Sequence, residues 1–292
     1  GDAAELLTVS RAEPRYRAGR SALENGLFRE AHAKLTEVVA LDADYKDANT
    51  LRDEALELGQ FNVAITDFQS SDRDMDVALE LRSGIQNGLL QADDPFIGVV
   101  DRTLREDIIA EQHLSLSGLS DETVAVGELA GARAILTGSV LSFSSETSRL
   151  QTTSRSGFRK YFKQVKDDEG NLKKVAAFAP ANYKLYTQRR NVELKFEIKL
   201  ISTETGEVLL SEVERVHAQD AVEYAVSQVP AGNLYPARAN GEVNRSGKSR
   251  MSALLGARRD LATSAALRAQ VISEATSRGQ RDIEQFLERH IK

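Results

Sequence analysis

Apolar residues recur at spacings of three and four along the first 59 residues, and this pattern predicts three short helices. Pro14 suits a first helical turn, so one helix is expected from there to Asn25-Gly26, a pair that favours a helix end. A second helix is expected over 28–41 and a third over 45–58. Residues 1 to about 11 carry little pattern and are expected to fray.

The first two helices have the small residues that a closely packed helical pair needs. Gly19, Ala22 and Ala31 would let two antiparallel helices approach, and Phe28 would fill the gap between them. The stretch 18–48 therefore resembles a tetratricopeptide unit, with an ordinary helical hairpin as the alternative. A lone repeat cannot bury its own faces, so the arm 1–59 is expected to pack on the following domain or on another subunit.

The pattern changes to strands alternating with helices after the arm. Val192–Ile201 is the clearest strand, because every second residue is apolar and the residues between are charged, as in a sheet with one solvated face. The order predicts an α/β (α+β) fold: a mixed sheet flanked by helices, preceded by the helical repeat arm and closed by C-terminal helices. The other expected strands are 61–68, 96–100, 134–143 and 208–216, and the helices are 76–90, 102–113, 121–131, 251–276 and 282–290.

Four segments stand out in order along the chain: VAITDF at 63–68, VVDRTLREDIIAEQHLSLSG at 99–118, ELAGARAILTGSV at 128–140 and VELKFEIKLISTETGEVLLSE at 192–212. Taken in this order, they resemble the CsgG family of curli-secretion proteins. The resemblance implies an α/β domain over 60–292 of the kind found in bacterial envelope lipoproteins, with an inserted hairpin at 144–190. It also implies a periplasmic location, with an outer-membrane anchor on a lipidated cysteine upstream of residue 1.

The same resemblance implies two kinds of role. Some family members oligomerise into outer-membrane secretion pores, and similar domains, as in LpoB-like proteins, bind and activate peptidoglycan synthases. Pore members carry a constriction loop with aromatic and Asn residues after the first strand, and two membrane-spanning hairpins, here at about 144–190 and 217–250. The matching loop, 69–74, contains no Tyr, Phe or Asn, which argues against a narrow gate.

The first inserted segment is strongly basic. Residues 155–190 hold ten basic and three acidic residues, a balance of +7. A Lys or Arg on a lipid-facing strand costs roughly 2–4 kcal/mol at the bilayer midplane, so this composition favours a contact surface over a membrane-spanning hairpin. The second segment, 217–250, is less strand-like still.

Aromatic residues lie among the cations of this segment, which makes it the strongest candidate for partner binding. The ligand could be another protein in the envelope, a second copy of the chain, an anionic lipid or peptidoglycan. The alternative is a solvent-exposed hairpin that its lysines keep soluble. The candidate partner-binding residues are Phe158, Lys160, Tyr161, Phe162, Lys173, Lys174, Tyr183, Tyr186, Arg189 and Arg190.

No catalytic, cofactor or metal site is expected from the sequence. The chain has no cysteine, which excludes disulfides and thiol nucleophiles, and its four histidines lack metal-ligand spacing. The loop 241–249, GEVNRSGKS, has five residues between its glycines where a phosphate-binding loop has four. A net charge of −6 argues against a dedicated nucleic-acid binder.

These observations favour a non-enzymatic cell-envelope assembly or secretion-associated protein that acts through protein–protein contacts. A curli-type outer-membrane secretion channel and an LpoB-like activator of a peptidoglycan synthase are the alternatives. An enzyme with an unrecognised site is a third class, which rapid turnover of a nucleotide or glycan would reveal.

Overall fold

The helices and strands are taken from a computed structural model, which describes residues 2–101 and 132–291. The predicted helices at 102–113 and 121–131 lie outside the described residues. The helices are α1 Asp2–Glu24, α2 Phe28–Leu41, α3 Ala48–Gly59, α4 Met75–Gln91, α5 Lys248–Leu255 and α6 Ser264–His290. The strands are β1 Phe61–Ile65, β2 Ile97–Asp101, β3 Ala134–Thr147, β4 Gln151–Lys166, β5 Leu172–Ser202, β6 Val208–Val226 and β7 Leu234–Pro236.

The strands form a mixed sheet, which confirms the predicted α/β class. Among the described residues the sheet order is β2-β1-β3-β5-β4-β7, and β6 pairs with β5. β1 is parallel to both β2 and β3, whereas β4 is antiparallel to β5 and β7. Helices precede and follow the sheet in the chain, as the sequence pattern indicates.

The chain divides into two compact units, and each is described by itself. The first contains Gly1–Phe143, Leu194–Val216 and Ile272–Lys292, so it holds α1 to α4 and β1. The second contains Ser144–Glu193 and His217–Val271, so it holds β4, β7 and α5. Strands β3, β5 and β6 contribute residues to both units.

Helices α1, α2 and α3 pack around small residues in the first unit. A Cβ placed on Gly19 would lie 2.8 Å from Cγ of Leu35, so α1 and α2 approach too closely for any larger residue. The guanidinium of Arg29 on α2 pairs with Asp94 at 2.7 Å and lies over the ring of Phe96. The arm therefore packs on the loop that leads into β2. Its likeness to a tetratricopeptide unit stays a prediction.

The first helix is longer than the sequence pattern indicates. It begins at Asp2 and passes through Pro14, so the expectations of a frayed tail and of a helix start at Pro14 are wrong. Proline lacks the N–H that an interior helical position donates. In the same turn, the guanidinium of Arg15 donates to the carbonyl of Arg11 at 2.9 Å.

Helices α4 and α6 approach closely in the first unit. A Cβ on Gly84 of α4 would lie 2.7 Å from Oγ1 of Thr276, and one on Gly279 of α6 would lie 2.9 Å from Cδ1 of Ile85. The same hypothetical Cβ on Gly279 would lie 3.6 Å from the ring of Phe196 on β5. Beneath these helices, every second residue of β5 has no exposed surface: Leu194, Phe196, Ile198 and Leu200.

The C-terminal helices divide at a different place from the one predicted. The break lies between Leu255 and Ser264, and α6 then continues unbroken to His290. Gly256 is the C-cap of α5, and its N–H makes the last bond of the helix, to the carbonyl of Ser252. The expected break before Asp282 is absent because Gly279 packs inward and the neighbouring Arg278 pairs with both Glu274 and Glu214.

The segment after β1 is held by backbone hydrogen bonds and does not form an open loop. The N–H of Gln69 donates to the carbonyl of Gly138, and the N–H of Val140 donates to the carbonyl of Gln69. Phe68 is buried against Gly138, and a short 3₁₀ turn, Asp72–Asp74, follows. This position is where the expected constriction loop of a pore member would lie.

A cluster of polar contacts joins α1 to the turn before α3. Lys46 donates to Glu13 at 2.6 Å and Tyr45 donates to it at 2.5 Å. The bond from Lys46, with those from Tyr45 and Arg17, lowers the pKa of Glu13 from 4.5 to about 2. Donation to Glu13 in turn raises the pKa of Tyr45 to about 12.

The Glu13 cluster should make the stability of the chain pH-dependent. A carboxyl whose pKa is lowered by folding stabilises the fold above its unfolded pKa, near 4.5, and that contribution is lost as the pH falls towards 2. Urea unfolding midpoints of the wild type and Glu13→Gln should therefore differ at pH 6 and converge by pH 2. If the difference in unfolding midpoint between the two proteins stayed the same from pH 6 to pH 2, the stabilising role of the Glu13 cluster would be contradicted.

The contact between α4 and α6 should tolerate no added side chain at Gly84. Gly84→Val would place methyl groups against Thr276, and overpacking of this kind costs roughly 1–3 kcal/mol. Chemical denaturation should show that loss in the free energy of unfolding. A matched Gly232→Val should cost far less, because nothing lies within 4 Å of a Cβ at that position. Equal losses in the two variants would rule out the close approach.

Candidate functional site

The inserted segment forms a long two-stranded hairpin in the second unit. β4 pairs with β5 without a break, from Gln151 opposite Thr187 to Lys166 opposite Leu172. Sixteen residues at about 3.4 Å each give a ladder of about 50 Å. The turn lies at 167–171: Asp167 accepts from the N–H groups of Glu169 and Asn171, and Gly170 adopts a positive φ of 85°.

The register assigns each side chain to one of two faces. Residues directly opposite each other in an antiparallel pair share a face, and here even-numbered residues pair with even-numbered ones. We therefore call the two sides the even face and the odd face.

The sequence-predicted partner-binding residues do not form a single surface. Strand alternation places Phe158, Lys160, Phe162, Lys174, Tyr186 and Arg190 on the even face. It places Tyr161, Lys173, Tyr183 and Arg189 on the odd face.

The base of the odd face is covered by the core of the second unit. Leu234 and Met251 are buried there, and Tyr183 and Leu185 pack against them. Burial raises the pKa of Tyr183. Tyr183 is thus mainly a packing residue, and a partner would reach little of it.

The middle of the even face holds aromatic rings with cations over them. β7 pairs with β4 and sets Tyr235 opposite Phe158, and the ring of Tyr235 meets Phe178 edge-on at 5.1 Å. The guanidinium of Arg245 lies 5.5 Å from the centre of the Phe178 ring. The ammonium of Lys248 lies 4.9 Å from the centre of the Tyr235 ring.

The candidate residues named from the sequence do not include Tyr235, Arg245 or Lys248. These three residues lie more than fifty residues beyond the hairpin turn in the chain. The pairing of the three-residue β7 with β4 brings the segment that contains them to the hairpin. A strand that short leaves no usable alternation in the sequence. The one available signal was the basic composition of 241–249, next to an aromatic residue.

The cations of the even face repel one another. Burial, together with the nearby charge of Lys160, lowers the pKa of Lys248. The Lys248 ammonium donates to the carbonyls of Ala231 and Leu234, which are uncharged. Within the described residues, no carboxylate lies within ion-pair distance of Lys160, Arg245 or Lys248. An anion would therefore be attracted to this part of the face.

The outer third of the hairpin exposes apolar side chains on both faces. Phe162 and Leu172, on the even face, are 64% and 65% exposed. Tyr161, Val165 and Val175 are also exposed on the odd face. Lysines lie between them on both sides: Lys163, Lys166, Lys173 and Lys174.

Arg190 and Asp220 fix the segment between α5 and α6. Arg190 donates to Oγ1 of Thr147 at 2.9 Å and to the carbonyl of Ala262. Asp220 accepts from the Arg258 guanidinium and from the N–H of Ala262 at 2.7 Å, and the Arg258 bonds hold the pKa of Asp220 far below its usual range. Arg190 is thus occupied by contacts within the chain.

The loop 241–249 does not form a phosphate cradle. The N–H of Gly247 donates to the side-chain oxygen of Asn244, and Lys248 is turned towards backbone carbonyls. Within the described residues, no three His, Asp or Glu side chains are arranged to hold a metal ion. Of the four histidines, His113 lies outside the described part. Across 2–101 and 132–291, no helix has both the length and the apolar character to cross a membrane.

Comparison with known proteins identifies one family. The profile described as curli production assembly/transport component CsgG matches residues 87–233, half of the chain. No curated protein matches the sequence.

Three solved structures are similar in part. The lipoprotein GNA1162 from Neisseria meningitidis has a TM-score of 0.31 and 9% identity, over 55% of this chain and 83% of that one. The hypothetical protein CT253 from Chlamydia trachomatis has a TM-score of 0.31 and 9% identity, over 77% and 98%. The PelC dodecamer from Paraburkholderia phytofirmans has a TM-score of 0.21 and 13% identity, over 75% and 89%.

Proposed function

The chain belongs to the CsgG family, and we propose that it is a non-enzymatic cell-envelope protein that acts in assembly or secretion through protein–protein contacts. The family match covers three of the four sequence segments, and the first, at 63–68, lies before the matched range. We further propose that the outer hairpin, residues 161–177, is its principal contact surface.

The exposure of the outer hairpin on both faces is the observation that supports this proposal. Contiguous groups of exposed apolar side chains mark interaction sites, whereas single scattered ones do not. Here Phe162 and Leu172 are about two-thirds exposed, and they lie at the end of a ladder far longer than an ordinary strand. A hairpin that only linked two strands would need neither this length nor these side chains.

The lysines on both faces favour a protein partner over lipid. A strand crossing a bilayer needs one face free of charge, because Lys at the midplane costs roughly 2–4 kcal/mol. Lys163 and Lys173 interrupt the odd face, and Lys166 and Lys174 interrupt the even face. The fitting partner surface combines exposed apolar side chains with carboxylates.

A second copy of this chain offers one surface of that kind. Helix α4 exposes Met75 and Leu79, at 61% and 58%, in the same turns as Asp72 and Asp76. Contact between the hairpin of one copy and α4 of the next would be heterologous, so it would generate a ring or an open chain. We therefore include homo-oligomerisation in the proposal.

Site-specific photo-cross-linking in the native envelope tests the role of the outer hairpin. A benzoylphenylalanine residue at Phe162 should give one dominant protein adduct, either a partner or a second copy, because Phe162 faces outward. The same cross-linker at Glu204, in the exposed turn between β5 and β6, serves as the control and should give none.

Two results would contradict the proposal. One is exclusive cross-linking of Phe162 to phospholipid. The other is stable ion conductance when the purified protein is added to vesicles, which would identify a channel. Sedimentation velocity without detergent separates the two protein outcomes, because a self-adduct requires a species larger than the 32.1 kDa monomer.

A further inference from the structure

The even face carries a polar groove at the base of the hairpin, distinct from the apolar outer third. Its volume is about 510 Å³. Hydroxyl and amide side chains dominate its lining, with two cations and two aromatic rings among them. Arg155 and Tyr183, which are odd-numbered, line it together with the even-face residues. The side chains that matter here are Ser154, Ser156, Asn182, Lys184, Tyr186 and Gln228.

Tyr186 is held in place at this groove. Its ring stacks on Tyr224 of β6, with centroids 4.9 Å apart and planes at 8°. The guanidinium of Arg259 lies over Tyr224 at 5.7 Å and completes the stack. A ring held in this way offers a flat surface to a ligand without losing rotamer freedom on binding.

Further aromatic residues continue along the same face. Phe178 lies eight residues from Tyr186 on β5, which is about 27 Å along the strand. The cations Lys160, Arg245 and Lys248 surround the Phe178–Tyr235 pair without a carboxylate among the described residues. The face thus runs from hydroxyl and amide groups at its base to cations and aromatic rings further out.

We propose that the even face of this hairpin binds an acidic glycan strand. Aromatic faces stack on sugar rings, hydroxyl and amide side chains bond to sugar hydroxyls, and uncompensated cations meet carboxylates or phosphates. All three chemistries occur together along one extended face, and the ligand that requires all three is a polyanionic saccharide. A bare anion needs no groove of hydroxyl and amide groups, and a neutral sugar needs no cluster of unpaired cations.

This site is independent of the outer hairpin contact. The glycan face uses the base and middle of the even face, whereas the proposed protein contact uses the outer third. Failure of either one leaves the other standing.

Calorimetric titration of the full chain with three six-unit probes tests the inference. The probes are hexagalacturonate, which has one carboxylate per sugar, neutral maltohexaose, and hexaglutamate, which is anionic without sugar. Hexagalacturonate should bind with saturation, and the other two at least about tenfold more weakly, a difference of about 1.4 kcal/mol. Raising the salt concentration should weaken the hexagalacturonate complex. The cations of the even face are partly exposed, so dissolved salt screens their attraction to the carboxylates of the probe.

The two faces supply matched variants. Lys160→Gln should weaken hexagalacturonate binding about three- to fivefold, the usual range for an exposed charge contact, whereas Lys163→Gln on the odd face should leave it unchanged. Tyr186→Ala should weaken hexagalacturonate binding by at least about fivefold, and Tyr161→Ala on the odd face should not weaken it.

Circular dichroism confirms folding of each variant. Absence of saturable binding, equal losses on the two faces, or hexaglutamate binding as tightly as hexagalacturonate would overturn the inference.

Discussion

Backbone pairing along one 31-residue strand, β5, is the constraint on which the rest of the structure depends. Its last part alternates strictly, and its inward residues, among them Phe196 and Ile198, have no exposed surface in the first unit. Its first five residues, 172–176, have no buried side, and there the ladder with β4 supplies the regular contacts. Backbone hydrogen bonds between strands do not require alternating side chains. One strand can therefore be part of a buried core at one end and of an exposed surface at the other.

That change along β5 explains what the sequence could and could not predict. The alternation at 192–201 identifies the core strand because burial on one face selects apolar residues at every second position. Apart from 181–185, residues 151–187 lack that selection, so the family resemblance indicated an inserted hairpin but not its two faces. Tyr235, Arg245 and Lys248 were missed because a three-residue strand brings them to the site. Helix ends were misjudged where tertiary contacts override local signals, as at Pro14 and Gly279.

The two faces of the hairpin provide two kinds of chemistry on one scaffold. The odd face is covered at its base by Leu234 and Met251, so the pairing that holds the hairpin also fixes which side remains open. The open side combines rings, amides and cations, and the outer third adds apolar side chains on both sides. For a member of the CsgG family, this arrangement suits contacts with large envelope components better than chemistry on a small substrate.

Cysteine labelling along β5 tests the two-faced hairpin most directly, and the chain suits it because it contains no cysteine. Single cysteines at positions 182–185 should react with a soluble maleimide in alternation, fast at Asn182 and Lys184 and slow at Tyr183 and Leu185. Single cysteines at positions 172–175, near the turn, should all react fast. Alternation that continues to the turn, or uniform rates at 182–185, would contradict the account.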